Sequence, residues 1–145
     1  MIKGSNRKTK TSASKVPEPF VVPEHRVFLS KRFEKDAAKE GISDKELCEA
    51  ADKLSKGQGD DLGGNVWKRR LNENRSRSIV VTKPAEFWVF SYLFEKSARD
   101  NIDDDELVAF KKLAADYSKK GQAGIDVLVK AGAMKEICND CNQEV

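Results

Sequence analysis

Three apolar, β-prone runs follow one another in the middle of the chain, at residues 66–71, 75–82 and 87–94. Short polar breaks separate them, so the pattern predicts a three-stranded antiparallel meander. Alternation along the first run places Trp67 and Leu71 on one face and Lys68 and Arg70 on the other. We therefore expect Trp67 to pack under helices, with Lys68 and Arg70 together on an open face of the sheet.

A short strand at residues 26–30 and two helices are predicted before the meander. Ser30 and Ser43 have the positions of helix N-caps, and Gly41 has that of the stop between the two helices. The apolar stripe of the second helix ends before Gly57. Two helices joined by a few residues form a hairpin, and this one is expected to cover one face of the sheet.

A long helix is predicted after the meander, because Asp103 followed by Glu106 is a capping pair. The buried stripe of this helix is expected to contain Leu107, Phe110, Leu113, Ala114 and Tyr117. A shorter helix follows and stops at Gly132, and residues 133–138 have the pattern of a final edge strand. The elements together predict an α+β fold, with two N-terminal helices packed on a small, mainly antiparallel sheet and a C-terminal helix.

The composition is typical of one soluble domain. The chain has 145 residues, of which 39% are hydrophobic and 35% are charged. Residues 1–24 are rich in Lys, Ser, Thr and Pro, which predicts a basic, disordered arm. Residues 25–138 are expected to form the domain and residues 139–145 a tail. No apolar run approaches the ~20 residues that span a bilayer, so no membrane partner is expected.

The net charge of +3 is small, but its distribution is uneven. Between Lys68 and Lys83, six lysines and arginines stand against Glu73 alone, a local excess of five positive charges. Such a patch is typical of a surface that binds nucleic acid or an acidic partner. A solvated sheet face that binds nothing is the alternative interpretation.

Three cysteines cannot all pair within one chain, so a reducing cytoplasm is expected. Cys138 and Cys141 have the spacing of half a zinc site. Only Cys48 and His25 remain as further ligands, and neither lies at the spacing that a zinc partner would have. We therefore expect free thiols, with no metal and no other cofactor.

The basic patch has the residue types that the cleavage of RNA by internal attack requires. A phosphate under attack gains negative charge on its non-bridging oxygens, and guanidinium groups bind these oxygens in a bidentate geometry. Crowding by arginines disfavours the charged form of a lysine, which makes Lys68 a candidate general base. Tyr92 is the aromatic side chain expected to face outward and stack on a base.

A series of short motifs, in this order and spacing, resembles one branch of the RelE/ParE superfamily of bacterial toxin–antitoxin systems. The motifs are Arg26-Val27-Phe28, Gly41-Ile42-Ser43-Asp44, Glu46-Leu47-Cys48, Asp61-Leu62-Gly63-Gly64, Lys68-Arg69-Arg70, Arg77-Ser78-Ile79, Phe94-Glu95-Lys96 with Arg99, residues 101–107, and Glu136-Ile137-Cys138. The resemblance covers residues 26–138 and implies a RelE-like fold.

The resemblance also implies an activity. RelE-like toxins are ribosome-dependent endoribonucleases that cut messenger RNA in the ribosomal A site and so inhibit translation. The 2′-hydroxyl attacks the adjacent phosphate, and no metal takes part. The partners implied for this chain are an antitoxin protein, the ribosome and messenger RNA, and the implied location is the cytoplasm.

Residues of this chain that match the family's basic positions are assigned by the resemblance. The implied catalytic residues are Lys68, Arg77 and Lys96, with Lys68 or Lys96 as base and Arg77 as phosphate clamp. Residues expected to bind or position the substrate are Arg69, Arg70, Arg75, Tyr92 and Arg99.

One position departs from the family pattern, because Ser76 stands just before Arg77, where relatives often have a histidine. Two alternatives to the nuclease are open. The first is a ParE-like protein that poisons DNA gyrase without nuclease chemistry. The second, which the missing histidine permits, is a non-catalytic relative that binds RNA or titrates the antitoxin. Convergence of Lys68, Arg77 and Lys96 on one open surface would favour the nuclease.

Overall fold

A computed structural model of the chain describes residues 25–139, which contain three helices and six strands. In chain order the elements are β1 (Arg26–Ser30), α1 (Lys31–Glu40), α2 (Asp44–Ser55), β2 (Asp60–Gly63), β3 (Val66–Leu71), β4 (Ser76–Lys83), β5 (Phe87–Glu95), α3 (Asp104–Lys130) and β6 (Met134–Ile137). The predicted arm, residues 1–24, and most of the predicted tail lie outside the described residues.

All six strands belong to one sheet, in the order β2-β3-β4-β5-β1-β6. The successive pairs β2–β3, β3–β4 and β4–β5 are antiparallel, and β6 pairs antiparallel with β1. Strand β1 runs parallel to β5, with Val27 opposite Trp88. The sheet is therefore mainly antiparallel, and the α+β class predicted from the sequence is confirmed.

The three-stranded meander is confirmed as β3, β4 and β5, and the predicted first and last strands are confirmed as β1 and β6. Strand β2 was not predicted. It pairs antiparallel with β3 through Asp60 opposite Lys68, at the edge of the sheet. With four residues, two of them acidic and one a glycine, it lacks the apolar alternation by which a strand is recognised.

The predicted helix caps have the expected geometry. The Ser30 hydroxyl accepts a hydrogen bond from the backbone N–H of Phe33, and Gly41 ends α1 in the left-handed conformation, with φ of 74°. Ser43 caps α2 in the same way as Ser30 caps α1. The Glu46 carboxylate accepts a hydrogen bond of 2.5 Å from the backbone N–H of Asn72, which ties the start of α2 to the turn after β3.

Helices α1 and α2 share a hydrophobic cluster with one face of the sheet. The cluster contains Phe33 and Ala37 of α1, Leu47, Ala50, Ala51 and Leu54 of α2, and Val27, Leu29, Leu71, Val80, Trp88, Phe90, Leu93 and Ile137 of the strands. Trp67 is half-buried and packs against it. As predicted from alternation, Trp67 and Leu71 face this cluster while Lys68 and Arg70 do not.

The opposite face is not open, so that expectation is wrong. Helix α3 packs against it and shares a second cluster with Phe28, Val66, Ile79, Val81 and Val89. The physical reason is that β4 and β5 are apolar on both sides, so the sheet needs cover on both faces. The basic side chains occupy only the part of this face that lies toward the end of β3 and the start of β4.

Helix α3 begins at the predicted capping pair. Asp103 and Glu106 each accept a hydrogen bond from the backbone N–H of the other, which satisfies free amides of the first turn. At Gly121 the backbone leaves helical geometry, with φ of 67°, so two helical segments meet at a kink. The sequence predicted two helices in this region, and the kink lies between them.

Cys48 of α2 and Cys138, which directly follows β6, form a disulfide, so the prediction of free thiols is wrong for both. Their Cα atoms lie 5.5 Å apart although 90 residues separate them in sequence. Sequence spacing carries no sign of such a pair, because only the fold brings α2 and the end of β6 together. The expectation of a reducing cytoplasm rested on unpaired cysteines and loses that support, while Cys141 lies outside the described residues.

Within residues 25–139, the structure contains no helix long and apolar enough to cross a bilayer.

Candidate functional site

Two rows of side chains cross the sheet on the face that carries α3. In the first row Lys68 of β3 lies opposite Ile79, which lies opposite Tyr92 of β5. In the second row Arg70 lies opposite Arg77, which lies opposite Phe94. Directly opposite residues of neighbouring strands point to the same face. Pairing of the strands therefore brings Lys68, Arg70 and Arg77 onto one surface.

These cations line a groove of about 410 Å³, which we call the basic groove; it is bounded by Gln58, Gly59, Asp60, Lys68, Arg69, Arg70 and Arg77. Four of the seven residues are cations, and Asp60 is the acid among them. The segment before β3 supplies one wall. A groove with such a charge excess attracts phosphate groups.

Gly59 has a steric role in this wall. A Cβ atom at this position would lie 2.8 Å from Cδ2 of Leu54, 3.3 Å from the carbonyl oxygen of Lys68 and 3.4 Å from the ring of Trp67. Any larger residue would require the Leu54 side chain to move, so glycine favours the close approach of the loop after α2 to β3. The close approach positions Gln58 and Asp60 beside the cations.

Lys68 is held in the groove by its neighbour on β2. Its Nζ lies 3.9 Å from a carboxylate oxygen of Asp60, and 15% of the Lys68 side chain is exposed. The amine is thus confined to the groove instead of extending freely into solvent. Asp60 was not predicted as part of the site, because β2 was not recognised as a strand.

Arg77 is oriented by the backbone of the preceding turn. Its Nη1 donates hydrogen bonds of 3.1 Å to the carbonyl oxygens of Asn74 and Ser76. Among the described residues no acceptor takes the hydrogens of its Nε or Nη2. A guanidinium fixed on one side and free on the other is suited to bind two oxygens of a phosphate. Arg70, opposite it, is exposed and has no ion-pair partner within residues 25–139.

Arg69 faces the side of the sheet opposite to Lys68 and Arg70, but its side chain reaches the same groove. Its Nη1 donates a 2.6 Å hydrogen bond to the carbonyl oxygen of Gln58. Its Nε is buried and has no hydrogen-bond partner among the described residues. Burial of the guanidinium, and then the positive charge of Arg70, lower the pKa of Arg69. Arg69 therefore adds positive charge to the wall of the groove.

Lys96 does not join this group, so the three predicted catalytic residues do not all converge: Lys68 and Arg77 share the basic groove, and Lys96 lies apart from them. Together with Arg75 it lines a second groove of about 590 Å³, which we call the mixed groove; its other residues are Glu40, Glu73, Asn74, Glu95, Ser97 and Asp100. The backbone N–H of Lys96 donates a hydrogen bond to the carbonyl oxygen of Arg75. Four acids stand against two cations here. Burial, and then a hydrogen bond with Glu95, raise the pKa of Glu40, which indicates crowded negative charge.

Arg99 is also engaged with an acid. Its Nη1 and Nη2 bind the two carboxylate oxygens of Glu106, at 3.1 and 2.5 Å, and its Nε donates to the carbonyl oxygen of Asn101. The hydrogen bond with Glu106, and then that with Tyr92, raise the pKa of Arg99 further. The Arg99 hydrogen bond, and then the backbone N–H of Asp103, lower the pKa of Glu106. The charge predicted to position a substrate is thus paired within the protein.

The ring of Tyr92 is half-buried and packs against the second cluster, so it is not the freely outward-facing ring that was expected. Its centroid lies 5.5 Å from that of Phe94 and 6.1 Å from that of Phe110, with which it is stacked. Its hydroxyl accepts a 3.3 Å hydrogen bond from Arg99. A base that stacked on the same side of Tyr92 would have to displace Phe110 of α3.

The structure therefore divides the eight predicted residues into groups. Lys68, Arg69, Arg70 and Arg77 line the basic groove, Arg75 and Lys96 line the mixed groove, and Tyr92 and Arg99 interact with α3. Sequence reasoning missed Glu106 as the partner of Arg99. The sequence showed part of this role, because Glu106 was recognised as a helix cap. Its hydrogen bond with Arg99 could not be predicted, because it depends on where the start of α3 lies in the fold.

Among the described residues no group of three or more His, Cys, Asp or Glu side chains is arranged to hold a metal ion. What the basic groove offers instead is a set of hydrogen-bond donors and positive charges at a solvent-accessible surface. Such an arrangement can bind a phosphodiester and stabilise negative charge that develops on it.

The chain matches a known protein family. A family model described as RelE toxin of RelE / RelB toxin-antitoxin system matches residues 25–137. The matched range contains every helix and strand of the structure, and both grooves. No curated protein matches the chain.

Proposed function

The chain belongs to the RelE family of toxins of toxin–antitoxin systems, and from that membership we propose that it is an endoribonuclease that cuts messenger RNA on the ribosome. One observation supports this proposal above all others. Lys68, Arg70 and Arg77 lie on one sheet face and line one groove, where Arg70 and Arg77 are direct cross-strand neighbours. A phosphodiester placed there meets two guanidinium groups and an amine.

In the proposed reaction the 2′-oxygen of a ribose attacks the adjacent phosphorus. Lys68 takes the proton of the 2′-hydroxyl, a new P–O2′ bond forms and the P–O5′ bond breaks. The products are a cyclic phosphate and a 5′-hydroxyl end, the latter protonated by solvent. An arginine side chain in a protein does not release its proton. Arg77 therefore acts through its positive charge and binds the non-bridging oxygens in the transition state.

Lys68 is the preferred base of the two candidates. It lies in the same groove as Arg77, whereas Lys96 lies in the mixed groove among four acids. A base must be within hydrogen-bond reach of the proton that it removes while the clamp holds the same phosphate. Lys96 would meet that condition only if the substrate extended into the mixed groove.

Arg70 and Arg69 are proposed to bind neighbouring phosphates of the RNA, since both line the groove. Arg75 is proposed to contribute less, because the acids of its groove offset its charge. Arg99 and Tyr92 are proposed to hold α3 in place near the site, since Arg99 binds Glu106 and Tyr92 stacks on Phe110. Their contribution to substrate binding would thus be indirect.

The proposed partners are a cognate antitoxin, the ribosome and messenger RNA, which places the activity in the cytoplasm. Expression of the chain without its antitoxin is expected to arrest growth. Unimpaired growth at high expression, with the protein shown to be folded, would contradict the toxin assignment.

Sequencing of RNA ends from induced cells tests the chemistry. Cuts within translated codons, with cyclic phosphate at the upstream ends, are the expected result. Intact RNA together with cleaved DNA would favour the ParE-like gyrase poison. Intact RNA and intact DNA in arrested cells would favour the non-catalytic RNA-binding relative.

A further inference from the structure

A third cavity lies close to the basic groove, at the part of the sheet where Trp67 is half-buried. It has a volume of about 410 Å³, and its lining includes His25, Ser55, Asp61, Asn65, Trp67 and Trp88. We call it the tryptophan pocket. Its volume falls in the range of about 300–1,000 Å³ that is usual for sites that bind small ligands.

The two indole rings give the pocket a fixed aromatic wall. Trp67 and Trp88 meet edge to face, with centroids 6.0 Å apart and planes at 77°. The Trp88 indole N–H donates a 3.1 Å hydrogen bond to the Ser55 hydroxyl, which in turn donates to the carbonyl oxygen of Ala51. Trp88 is therefore locked in place, while Trp67 is half-buried and presents part of its ring to the pocket.

The charge of the pocket differs from that of the basic groove. Among the described residues of its lining, His25 and Asp61 are the titratable groups, and no lysine or arginine is present. Side chains able to exchange hydrogen bonds with a ligand, such as the Asn65 amide and the Ser55 hydroxyl, stand beside the aromatic surface. This combination suits a flat, uncharged heterocycle with polar edges better than it suits a phosphate.

The two cavities share a wall. The loop after α2 and strand β2 contribute Gln58, Gly59 and Asp60 to the basic groove, and Gly57 and Asp61 to the tryptophan pocket. Trp67 and Lys68 are consecutive residues of β3 that point to opposite faces. A polymer bound to Lys68 through a phosphate can therefore reach Trp67 by passing around β2, which is the edge strand of the sheet.

We propose that the tryptophan pocket binds a nucleobase of single-stranded RNA, which stacks on Trp67 while the adjoining phosphates lie in the basic groove. The identity of the ligand as RNA rests on the proposed function, whereas the aromatic wall and the lack of lysine and arginine among the described lining residues do not depend on it. The pocket then selects or positions the substrate by stacking, and the basic groove performs the chemistry.

The test uses free nucleosides, which carry the base but no phosphate, and the full chain with nitrogen-labelled tryptophan. Titration with adenosine, guanosine, cytidine and uridine is followed through the two indole N–H signals in nuclear magnetic resonance spectra. We expect a saturable shift of the Trp67 signal, assigned by its loss in Trp67→Phe, with at least one nucleoside. The Trp88 signal is expected to move less, because its N–H is bonded to Ser55.

Trp67→Leu keeps an apolar side chain and removes the ring. Affinity for the nucleoside, measured by saturation transfer to the nucleoside protons, is expected to fall about tenfold, as is usual when a stacking ring is lost. Val127→Ser is the matched control, because Val127 is exposed on α3 and does not line the pocket. Circular dichroism and thermal melting establish that both variants are folded.

The absence of a saturable shift with all four nucleosides would overturn the proposal, and so would unchanged nucleoside affinity in folded Trp67→Leu. Neither result bears on cleavage, since nucleosides do not engage the basic groove. If the RNA-end experiment shows no cleavage, the nucleoside titration still reports whether a base binds in the tryptophan pocket.

Discussion

The basic groove and the mixed groove contain the same kinds of cation, and Arg77 of one is only two residues from Arg75 of the other. The balance of cations and acids is nevertheless opposite in the two grooves. Four cations and one acid line the basic groove, whereas two cations and four acids line the mixed groove. The comparison shows that the presence of lysine and arginine does not by itself mark a phosphate site. The acids that the fold brings beside them decide whether positive charge remains for a ligand.

The comparison extends to the cations that follow β5. Arg99 is paired with Glu106 through both of its terminal nitrogens, whereas Arg77 is anchored by carbonyl oxygens, which leave its positive charge uncompensated. A guanidinium bound to backbone carbonyls is oriented, while one bound to a carboxylate is also neutralised. This difference separates a residue suited to bind substrate from one suited to hold α3 in place.

The largest expected effect comes from Lys68. Lys68→Ala should reduce RNA cleavage by about a thousandfold, within the usual range for loss of a general base. Lys96→Ala is the matched control and should reduce it by no more than about threefold, because its groove is dominated by acids. Cleavage of messenger RNA by purified protein on programmed ribosomes gives the rates. A larger loss in Lys96→Ala would place the base in the mixed groove, and equal losses would mean that both lysines contribute.

Arg77 should give the next largest effect. Arg77→Ala removes a donor that binds the non-bridging oxygens, so the cleavage rate should fall about a hundredfold with little change in the stability of the fold. Arg75→Ala, two residues away in the mixed groove, should stay within about threefold of the unaltered chain. Growth of induced cultures and the cleavage rate are measured side by side. Undiminished toxicity of a folded Arg77→Ala protein would show that another side chain is the clamp.

The faces of β3 and the starts of the helices could be predicted from local sequence. Alternation along β3 placed Lys68 and Arg70 opposite Trp67, and the caps at Ser30 and Asp103 fixed two helix starts. These features depend on neighbours within a few residues, so they are visible in a single sequence. The cross-strand pairing of Arg70 with Arg77 was not predicted and is known only from the strand register.

What could not be predicted depends on contacts between distant parts of the chain. The acids around Lys96 come from α1 and from the turn after β3, as Glu40 and Glu73 show. The disulfide between Cys48 and Cys138 likewise joins segments far apart in sequence, and so does the packing of α3 against the sheet. Local periodicity identifies a helix and its apolar stripe, but it does not say which face of the sheet that stripe will cover.

A smaller effect is expected for Arg70, and it appears in the salt dependence of binding. Arg70→Gln should weaken binding of a non-cleavable single-stranded RNA and reduce the slope of log affinity against log salt by about 0.7, the value for one phosphate contact. Lys96→Gln should leave the slope unchanged, because the four acids that line its groove disfavour a phosphate there. Fluorescence anisotropy over a series of salt concentrations measures both. An equal change in the two slopes would mean that RNA contacts both grooves.

The smallest effects concern stability as a function of pH, where Glu106 and Glu40 should behave in opposite ways. Because Arg99 holds the pKa of Glu106 below its ordinary value, this pair adds stability above the ordinary glutamate pKa of about 4.3. That stability is lost as the pH falls through the lower folded value. The raised pKa of Glu40 has the reverse effect, since stability then falls as the pH rises from the ordinary value through the raised one.

Two matched variants separate these contributions. Glu106→Gln should lower the melting temperature at neutral pH and reduce its fall in acid, whereas Glu40→Gln should raise the melting temperature at neutral pH. Both shifts should be small, because solvent screens groups this exposed. Thermal melts across a pH series measure them. Glu40→Gln could instead destabilise the protein at neutral pH. That result would mean that cations attract the acids of the mixed groove more strongly than the acids repel one another. The contrast with the basic groove would then weaken.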